Sequence, residues 1–331
     1  MSDTFSVAMC TYNGARYLAA QLASLSAQTH LPGELVVCDD RSEDETREIV
    51  QDFSARAPFC VRLHVNGRCL GSTKNFERAI SLCTGDLIAL SDQDDVWLPQ
   101  KLERLAAYFA AQPCTGMVFS DAEVVDENLR STGRSLWNLV GFADAEQRLI
   151  RCGRALDVLL PGWTVTGATM AFRATFKGLV LEIPDDLPVI HDGWIGAVVA
   201  AVAGVEFITE PLIKYRQHPR QQIGAPPRGA AEMTRQSGLR SVVSAAHRSN
   251  DYERLIKIAE RISLRLSERK DFSDSDGARS QLDALVGHLR TRADLPESRL
   301  RRAPYVLREL LSHRYHLYSK GTRSAVKDLL A

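Results

Sequence analysis

The sequence predicts an α/β protein: a mainly parallel sheet with helices on both faces, followed by an α-helical C-terminal extension. Three observations lead there. Short apolar runs alternate with segments of helical period through the first third of the chain. Polar clusters close several of those runs, which is where ligands bind in parallel sheets. From Glu232 onward the pattern is helical throughout, with Leu255, Ile258, Ile262 and Leu266 leading it.

Residues 5–10 are an apolar run ending in Thr11-Tyr12-Asn13-Gly14, a strand entering a turn. Residues 17–27 carry Leu18, Leu22 and Leu25 at helical spacing. Residues 34–38 read as a second buried strand, stopped by Asp39-Asp40. A helix over 44–53 has acids in its first turn, as the helix dipole favours. Residues 61–65 are a third strand and 73–82 a helix. A fourth strand, 87–90, runs straight into Ser91-Asp92-Gln93-Asp94-Asp95. Pro99 opens a helix through Phe109, and 117–120 is a fifth strand. Beyond it the pattern loosens. Residues 136–149 read as helix or loop, and 163–172 as a strand in which Gly167 permits close backbone approach. His191-Asp192-Gly193-Trp194 precedes a helix rich in Ala and Val, and 205–208 and 213–217 read as short strands. Gly224-Ala225-Pro226-Pro227-Arg228-Gly229 is a linker-type segment, so the predicted domains are 1–224 and 225–331.

At 331 residues, 45% hydrophobic and 25% charged, the chain has ample material for a packed core, which argues against disorder. Its net charge of zero is unevenly placed. Residues 226–331 hold 21 Lys and Arg against 13 Asp and Glu; residues 1–225 hold 20 against 28. The basic extension is expected to be a solvated helical surface or, more sharply, one that meets an anionic membrane or a lipid-diphosphate substrate. Seven cysteines, an odd number without metal-ligand spacing, read as reduced and mostly buried thiols of a cytosolic protein. The first residues lack a signal peptide's basic and apolar regions, and the longest apolar stretch, 195–208, is too short to span a bilayer. The expected location is cytoplasmic, with any membrane contact peripheral and at the inner face of the cell membrane. The basic tail lacks regularly interleaved aromatics, so no nucleic-acid partner is expected. Hydrolase (GxSxG), zinc-protease (HExxH), P-loop and dinucleotide signatures are missing.

The candidate chemistry sits at strand ends. Asp92, Asp94 and Asp95 repel one another unless a cation sits between them. A hard divalent ion, Mg2+ or Mn2+, suits such a turn, and it would take its other ligands from phosphate and water. Asp39-Asp40 could accept from the imide N–H of a uracil or thymine, or cap the following helix, for which Ser42 competes. The loop 66–75 places Lys74 near a helix N-terminus, a phosphate-favouring position, or is an ordinary loop. Asp192 could serve as a general base, or as an N-cap. His218, after a short strand, could be a metal or phosphate ligand, or structural.

Taken together these pieces resemble a family, the family 2 inverting glycosyltransferases of GT-A (Rossmann-like) fold, and within it the bacterial rhamnosyltransferase-like enzymes of surface-polysaccharide (O-antigen, capsule) synthesis. The resembling residues are 8–14, 36–42, 71–76, 89–97, Thr166-Gly167-Ala168-Thr169-Met170, His191-Asp192-Gly193-Trp194 and Tyr215-Arg216-Gln217-His218. They are specific for the family and much less so for the sugar. The resemblance implies that Thr11, Tyr12, Asn13, Asp39, Asp40, Lys74, Asp92 and Gln93 hold the nucleotide sugar. It implies a metal on Asp94, Asp92 and His218, and Asp192 as catalytic base. Asp95, Trp97, Gly167, His191 and Trp194 are the expected sugar or acceptor pocket. The implied partners are a dTDP- or UDP-sugar donor and a saccharide or lipid-linked acceptor. The alternatives are UDP-hexose transfer on the same fold, a nucleotidyltransferase, and a non-catalytic sugar-nucleotide-binding module. Two departures stand out: Arg41 occupies a position where many relatives have Gly, and Pro219 to Gln222 follow His218 where Gly and Asn are common.

Overall fold

Four strands with parallel neighbours build the half of the sheet that carries the predicted clusters. They are β1 (Phe5–Thr11), β2 (Glu34–Asp39), β3 (Cys60–Val65) and β4 (Leu87–Ser91), in the order β3-β2-β1-β4. β1, β2 and β4 are buried nearly along their whole length, which their continuous Val, Leu, Ile and Ala runs make possible. Helices α1 (Ala15–Ser26), α2 (Thr46–Ser54) and α3 (Ser72–Leu82) connect them. The chain leaves β1 towards β2 on one side and returns to β4 on the other. This reversal opens a crevice beyond the carboxyl ends of β1 and β4, the place where such sheets bind ligands. In this computed structural model residues 3–219, 221, 245–269, 275–319 and 321–330 are described.

The sheet continues with mixed directions. After the two-residue β5 (Val96–Trp97) and α4 (Lys101–Ala111) comes β6 (Thr115–Val125), with β7 (Ser131–Ser135) on it. Short helices α5 (Leu136–Val140), α6 (Asp144–Arg151) and α7 (Ala155–Leu159) lead to β8 (Met170–Arg173), which runs antiparallel between β4 and β6. α8 (Lys177–Val180) and α9 (His191–Val202) precede β9 (Gly204–Arg216), parallel to β6 and antiparallel to β5. The β5–β9 pairing, Val96 to Lys214 and Trp97 to Ile213, carries the end of β9 back to the Asp92–Asp95 turn.

Several expectations are corrected. Residues 163–172 are not one strand: Thr169 N–H and Oγ1 both bond the Thr166 carbonyl, folding 167–169 into a 3-10 turn, and only Met170–Arg173 is extended. The two short strands at 205–208 and 213–217 are a single strand, with a register irregularity near Pro211, which has no N–H for the ladder. The helix expected from Pro99 starts at Lys101. The thiols are not mostly buried: Cys60, Cys69, Cys114 and Cys152 are exposed, because they lie at element ends and in turns rather than inside the apolar runs.

The chain divides into two compact units, 1–185 with 189–231, and 186–188 with 232–331. The expected boundary at 224/225, the linker 224–229 and the start of the helical pattern at Glu232 lie outside the described residues. The described helices of the second unit are α10 (Ala245–Glu268), α11 (Ser275–Ala293), α12 (Arg299–Leu311), α13 (Arg314–Tyr318) and α14 (Thr322–Leu330). Among the described residues no helix is long and apolar enough to cross a membrane.

Candidate active site

Parallel pairing sets Thr11 opposite Asp39, and Thr11 Oγ1 donates to Asp39 Oδ2 at 2.9 Å. Ser42 supplies a further backbone N–H (2.9 Å to Oδ1) and its hydroxyl, so Asp39 is enclosed by internal donors and fully buried. Asp40 is still more committed. It accepts from Asn66 Nδ2 at 2.7 Å, Leu70 N–H at 2.7 Å, Gly71 N–H at 2.8 Å and the Cys69 thiol at 3.1 Å. Burial alone would raise its pKa, but these donors hold it below the usual carboxylate range. Asp40 therefore organises the 66–71 loop. The Lys74 ammonium is likewise engaged within the protein, by Glu77 at 3.0 Å, Asp185 at 3.2 Å and the Ile183 carbonyl at 2.7 Å.

Tyr12 and Asn13 do reach the crevice and are exposed. Asn13 adopts φ 47°, a left-handed geometry that Asn tolerates, and its Oδ1 accepts from Glu43 N–H at 2.8 Å. Gln93 joins the two strand-end loops. Its Oε1 accepts from Tyr12 N–H at 2.9 Å while its Nε2 donates to Tyr12 O at 3.1 Å. Gly14 is obligatory for that fit, since a Cβ there would stand 2.1 Å from Gln93 Oε1.

The acidic turn differs from Asp39-Asp40 in its donors. No hydrogen bond lowers the pKa of the Asp92 carboxylate, and burial with neighbouring Asp94 and Asp192 pushes it up to about 7. Asp95 is fully buried. Its Oδ1 accepts from Arg216 N–H at 3.0 Å, and its Oδ2 has no partner. Burial, then Asp94 and Asp92, pushes its pKa well up. Asp94 is joined to His218 across 124 positions, Oδ2 to Nε2 at 2.8 Å, and the His218 ring packs on Tyr17 with centroids 4.6 Å apart. His218 thus stays beside the turn with Pro219 after it.

Asp192 lies in the first turn of α9, inside the helix rather than at its cap. It is buried, and its two oxygens accept from Gly193 N–H at 2.7 Å and Gly167 N–H at 3.1 Å. Burial outweighs those donors and pushes its pKa up to about 6. The close approach needs Gly167, whose Cβ would meet His191 Nε2 at 3.1 Å. His191 stacks on Phe76 at 4.0 Å; its Nδ1 is buried without a partner, and burial pulls its pKa down to about 3, so it is neutral. Trp97 and Trp194, expected in the pocket, are core residues instead: both indoles are buried, and Trp194 Nε1 donates to the Val180 carbonyl at 2.8 Å.

Three residues at the site went unassigned in the sequence. Lys101 is fully buried; its Nζ donates to Ala168 O at 2.6 Å and lies 3.4 Å over the Trp97 ring, and burial pushes its pKa well down against the pull of Asp95 and Asp92. Arg216 pins the turn through its side-chain bond to Asp94 O and another to Glu127 O. Tyr215 has its hydroxyl pKa raised by burial and by Asp95, Asp92, Asp94 and Asp192. The sequence signal for Tyr215 and Arg216 is the Tyr215-Arg216-Gln217-His218 run; Lys101 has none.

Comparison with known proteins shows the family. The profile described as Glycosyl transferase family 2 matches residues 6–180, more than half of the chain. An uncharacterized glycosyltransferase of Nostoc sp. is 33% identical over 216 residues, 64% of each chain. The dTDP-rhamnosyl transferase RfbG of Shigella flexneri is 29% identical over 229 residues, 66% of this chain and 74% of its own. The chain thus spans less than two thirds of the Nostoc relative. Among solved structures, S. aureus TarS 1–349 in complex with UDP superposes with a TM-score of 0.54 at 17% identity, covering 95% of this chain and 88% of that one. The chain belongs to the family 2 glycosyltransferases.

Proposed function

We propose that the protein is an inverting glycosyltransferase that moves a sugar from a nucleotide-sugar donor to a saccharide or lipid-linked saccharide acceptor. The observation that carries this reading is the convergence of Asp192 with the Asp92–Asp95 turn. Asp192, about 100 positions away in the chain, helps to raise the pKa of Asp92, and Asp192 and the acids of the turn together help to raise that of Tyr215. An acceptor hydroxyl beside Asp192 loses its proton to that carboxylate as it attacks the anomeric carbon. Gly167 and Gly193 N–H groups fix the carboxylate's direction, and its raised pKa of about 6 makes it a stronger base than a solvated aspartate while leaving it ionised at neutral pH. One displacement inverts the anomeric centre and requires no covalent intermediate, in contrast to the two-step retaining route.

Among the described residues no group of three or more His, Cys, Asp or Glu is placed to hold a metal ion on its own. Mg2+ or Mn2+ nevertheless fits the donor set. The partnerless Asp95 Oδ2 and the raised Asp92 pKa mark uncompensated negative charge, and Asp94 with His218 presents an adjacent oxygen and nitrogen. Asp94, Asp92 and His218 would hold the ion, which when bound would neutralise charge on the leaving diphosphate. Tyr12 and Asn13 face the nucleotide, and a base reaching Asp39 has to displace the Ser42 hydroxyl.

For the sugar, the likeness to a dTDP-rhamnosyl transferase over 66% of this chain supports rhamnose from dTDP-rhamnose; a place in cell-surface polysaccharide synthesis rests on the motif resemblance alone. A second reading is UDP-hexose transfer. A UDP-Glc-dependent glucosyltransferase, WfgD of Escherichia coli, is 31% identical, but over only 37% of this chain. Turnover of a panel of dTDP- and UDP-sugars, with and without EDTA, tests both. Turnover confined to UDP-hexoses would replace the rhamnosyl reading, and undiminished turnover in EDTA would remove the metal.

A further inference from the structure

The helices α12, α13 and α14 share a small core in which Val306, Tyr315 and Ala325 are buried and Leu295 and Leu310 pack against them. The faces turned away from that core are also apolar. Leu300, Leu307 and Leu311 of α12 are 88%, 55% and 72% exposed. At about 100° of rotation per residue they fall, with Pro304, within a stripe about 60° wide, on the side opposite buried Glu309. Val326 and Leu330, one turn apart on α14, and Leu317 on α13 are each more than half exposed. One exposed leucine needs no explanation, but six large apolar side chains on three consecutive short helices do.

The charges between them carry a single sign. Residues 299–330 hold eight Lys and Arg against only Glu309 and Asp328. Both acids are buried: Glu309 takes His288 Nδ1 at 2.8 Å, and Asp328 takes Arg292 Nε at 2.6 Å and the Tyr315 hydroxyl at 2.8 Å. Among the described residues of this stretch no carboxylate is left on the surface, while Arg299, Arg301, Arg308, Arg323 and Lys327 are exposed. Helical rotation places Arg301 and Arg308 beside the leucine stripe, and Arg323 and Lys327 beside Val326 and Leu330.

We propose that this face docks on an anionic lipid bilayer, its leucines entering the boundary between headgroups and acyl chains and its arginines and lysine meeting lipid phosphates. A second copy of the chain is a poorer occupant, because a self-pairing face would set arginines against arginines with no carboxylate between them.

The test uses the full chain and sedimentation with sucrose-loaded vesicles, one set of phosphatidylglycerol and phosphatidylcholine and one of phosphatidylcholine alone. The protein should pellet with the anionic vesicles only, and about 0.5 M salt should weaken binding as it screens the phosphates. The variant carrying Leu300→Ser, Leu307→Ser and Leu311→Ser should lose about tenfold or more in vesicle partition. Arg301→Glu with Arg308→Glu should do the same without touching the leucines, covering the case in which the serine variant fails to fold. Equal binding to both vesicle types, binding to neither, or variants that partition like the parent overturns the proposal. Light scattering gives the remaining outcome: a dimer that the serine variant dissociates, without vesicle binding, assigns the face to a second copy and overturns the lipid reading.

Discussion

Two acidic clusters close β2 and β4, the strands on either side of β1 in the same sheet half, and they are electrostatic opposites. Asp39 and Asp40, after β2, are surrounded by hydroxyl, thiol and backbone donors; Asp40 is held below the ordinary carboxylate range. Asp92, Asp94 and Asp95, after β4, crowd one another with few donors; Asp92 is pushed up to about 7 and Asp95 keeps an oxygen without a partner. The first cluster is finished by folding alone. The second is left with charge that folding does not compensate, as expected of a place where the missing counter-charge arrives with a ligand. Stability and activity should therefore separate along this line.

The largest effect belongs to Asp192, which reads the charge of the second cluster. Asp192→Asn should lower transfer about 1000-fold, within the range of a lost general base, while calorimetric nucleotide affinity stays within about twofold. In the parent, turnover should fall about tenfold per pH unit below about 6, where the base becomes protonated; a profile flat down to pH 5 would remove Asp192 from that role. Next, Asp94→Ala should cost about 100-fold in kcat and abolish the response to added Mg2+ or Mn2+, measured as turnover against metal concentration.

The direct inversion is in folding stability. Asp40→Ala leaves several buried donors unanswered and should cost about 3 kcal/mol in denaturant unfolding. Because its pKa is lowered, Asp40's contribution is present above the ordinary carboxylate range and lost as pH falls through its folded pKa. Asp92 has the opposite sign: with its pKa raised, metal-free stability is greatest at low pH and declines as pH rises from about 4 towards 7. Asp92→Asn should flatten that decline and raise metal-free stability at pH 7; a destabilised variant would break the comparison. The smallest effect is at Arg41, whose φ of 66° is a left-handed geometry that suits Gly better than Arg. Arg41→Gly should stabilise the fold by about 0.5–1 kcal/mol.

In sequence the two clusters look alike, an acid pair ending an apolar run. What separates them is the number of N–H groups the neighbouring loops deliver, and Leu70 and Gly71 lie 30 and 31 positions from Asp40. Asp94, His218 and Asp192 could be singled out because each sits in a short word of distinctive chemistry. Lys101, Tyr215 and Arg216 could not, because their relation to the acids comes from strand pairing and from the turn at 167–169. Trp97 and Trp194 misled for the converse reason: a motif marks a backbone position, and an indole in it can still face the core. The parallel strands were legible from their apolar runs, whereas the length of β6 and the unity of β9 depend on each other as ladder partners.

Gln93 shows how far the crevice is built before any ligand arrives. Its carboxamide meets both the N–H and the carbonyl of Tyr12, as a peptide group of an adjacent strand would. The sheet in effect gains one more rung beyond its last true strand residue, supplied by a side chain. Only an amide can play that part, because a carboxylate of the same shape has no hydrogen to give the carbonyl. The turn carrying Tyr12 and Asn13 is thereby held in register with the acidic turn, and the gap between them has its width set by folding alone.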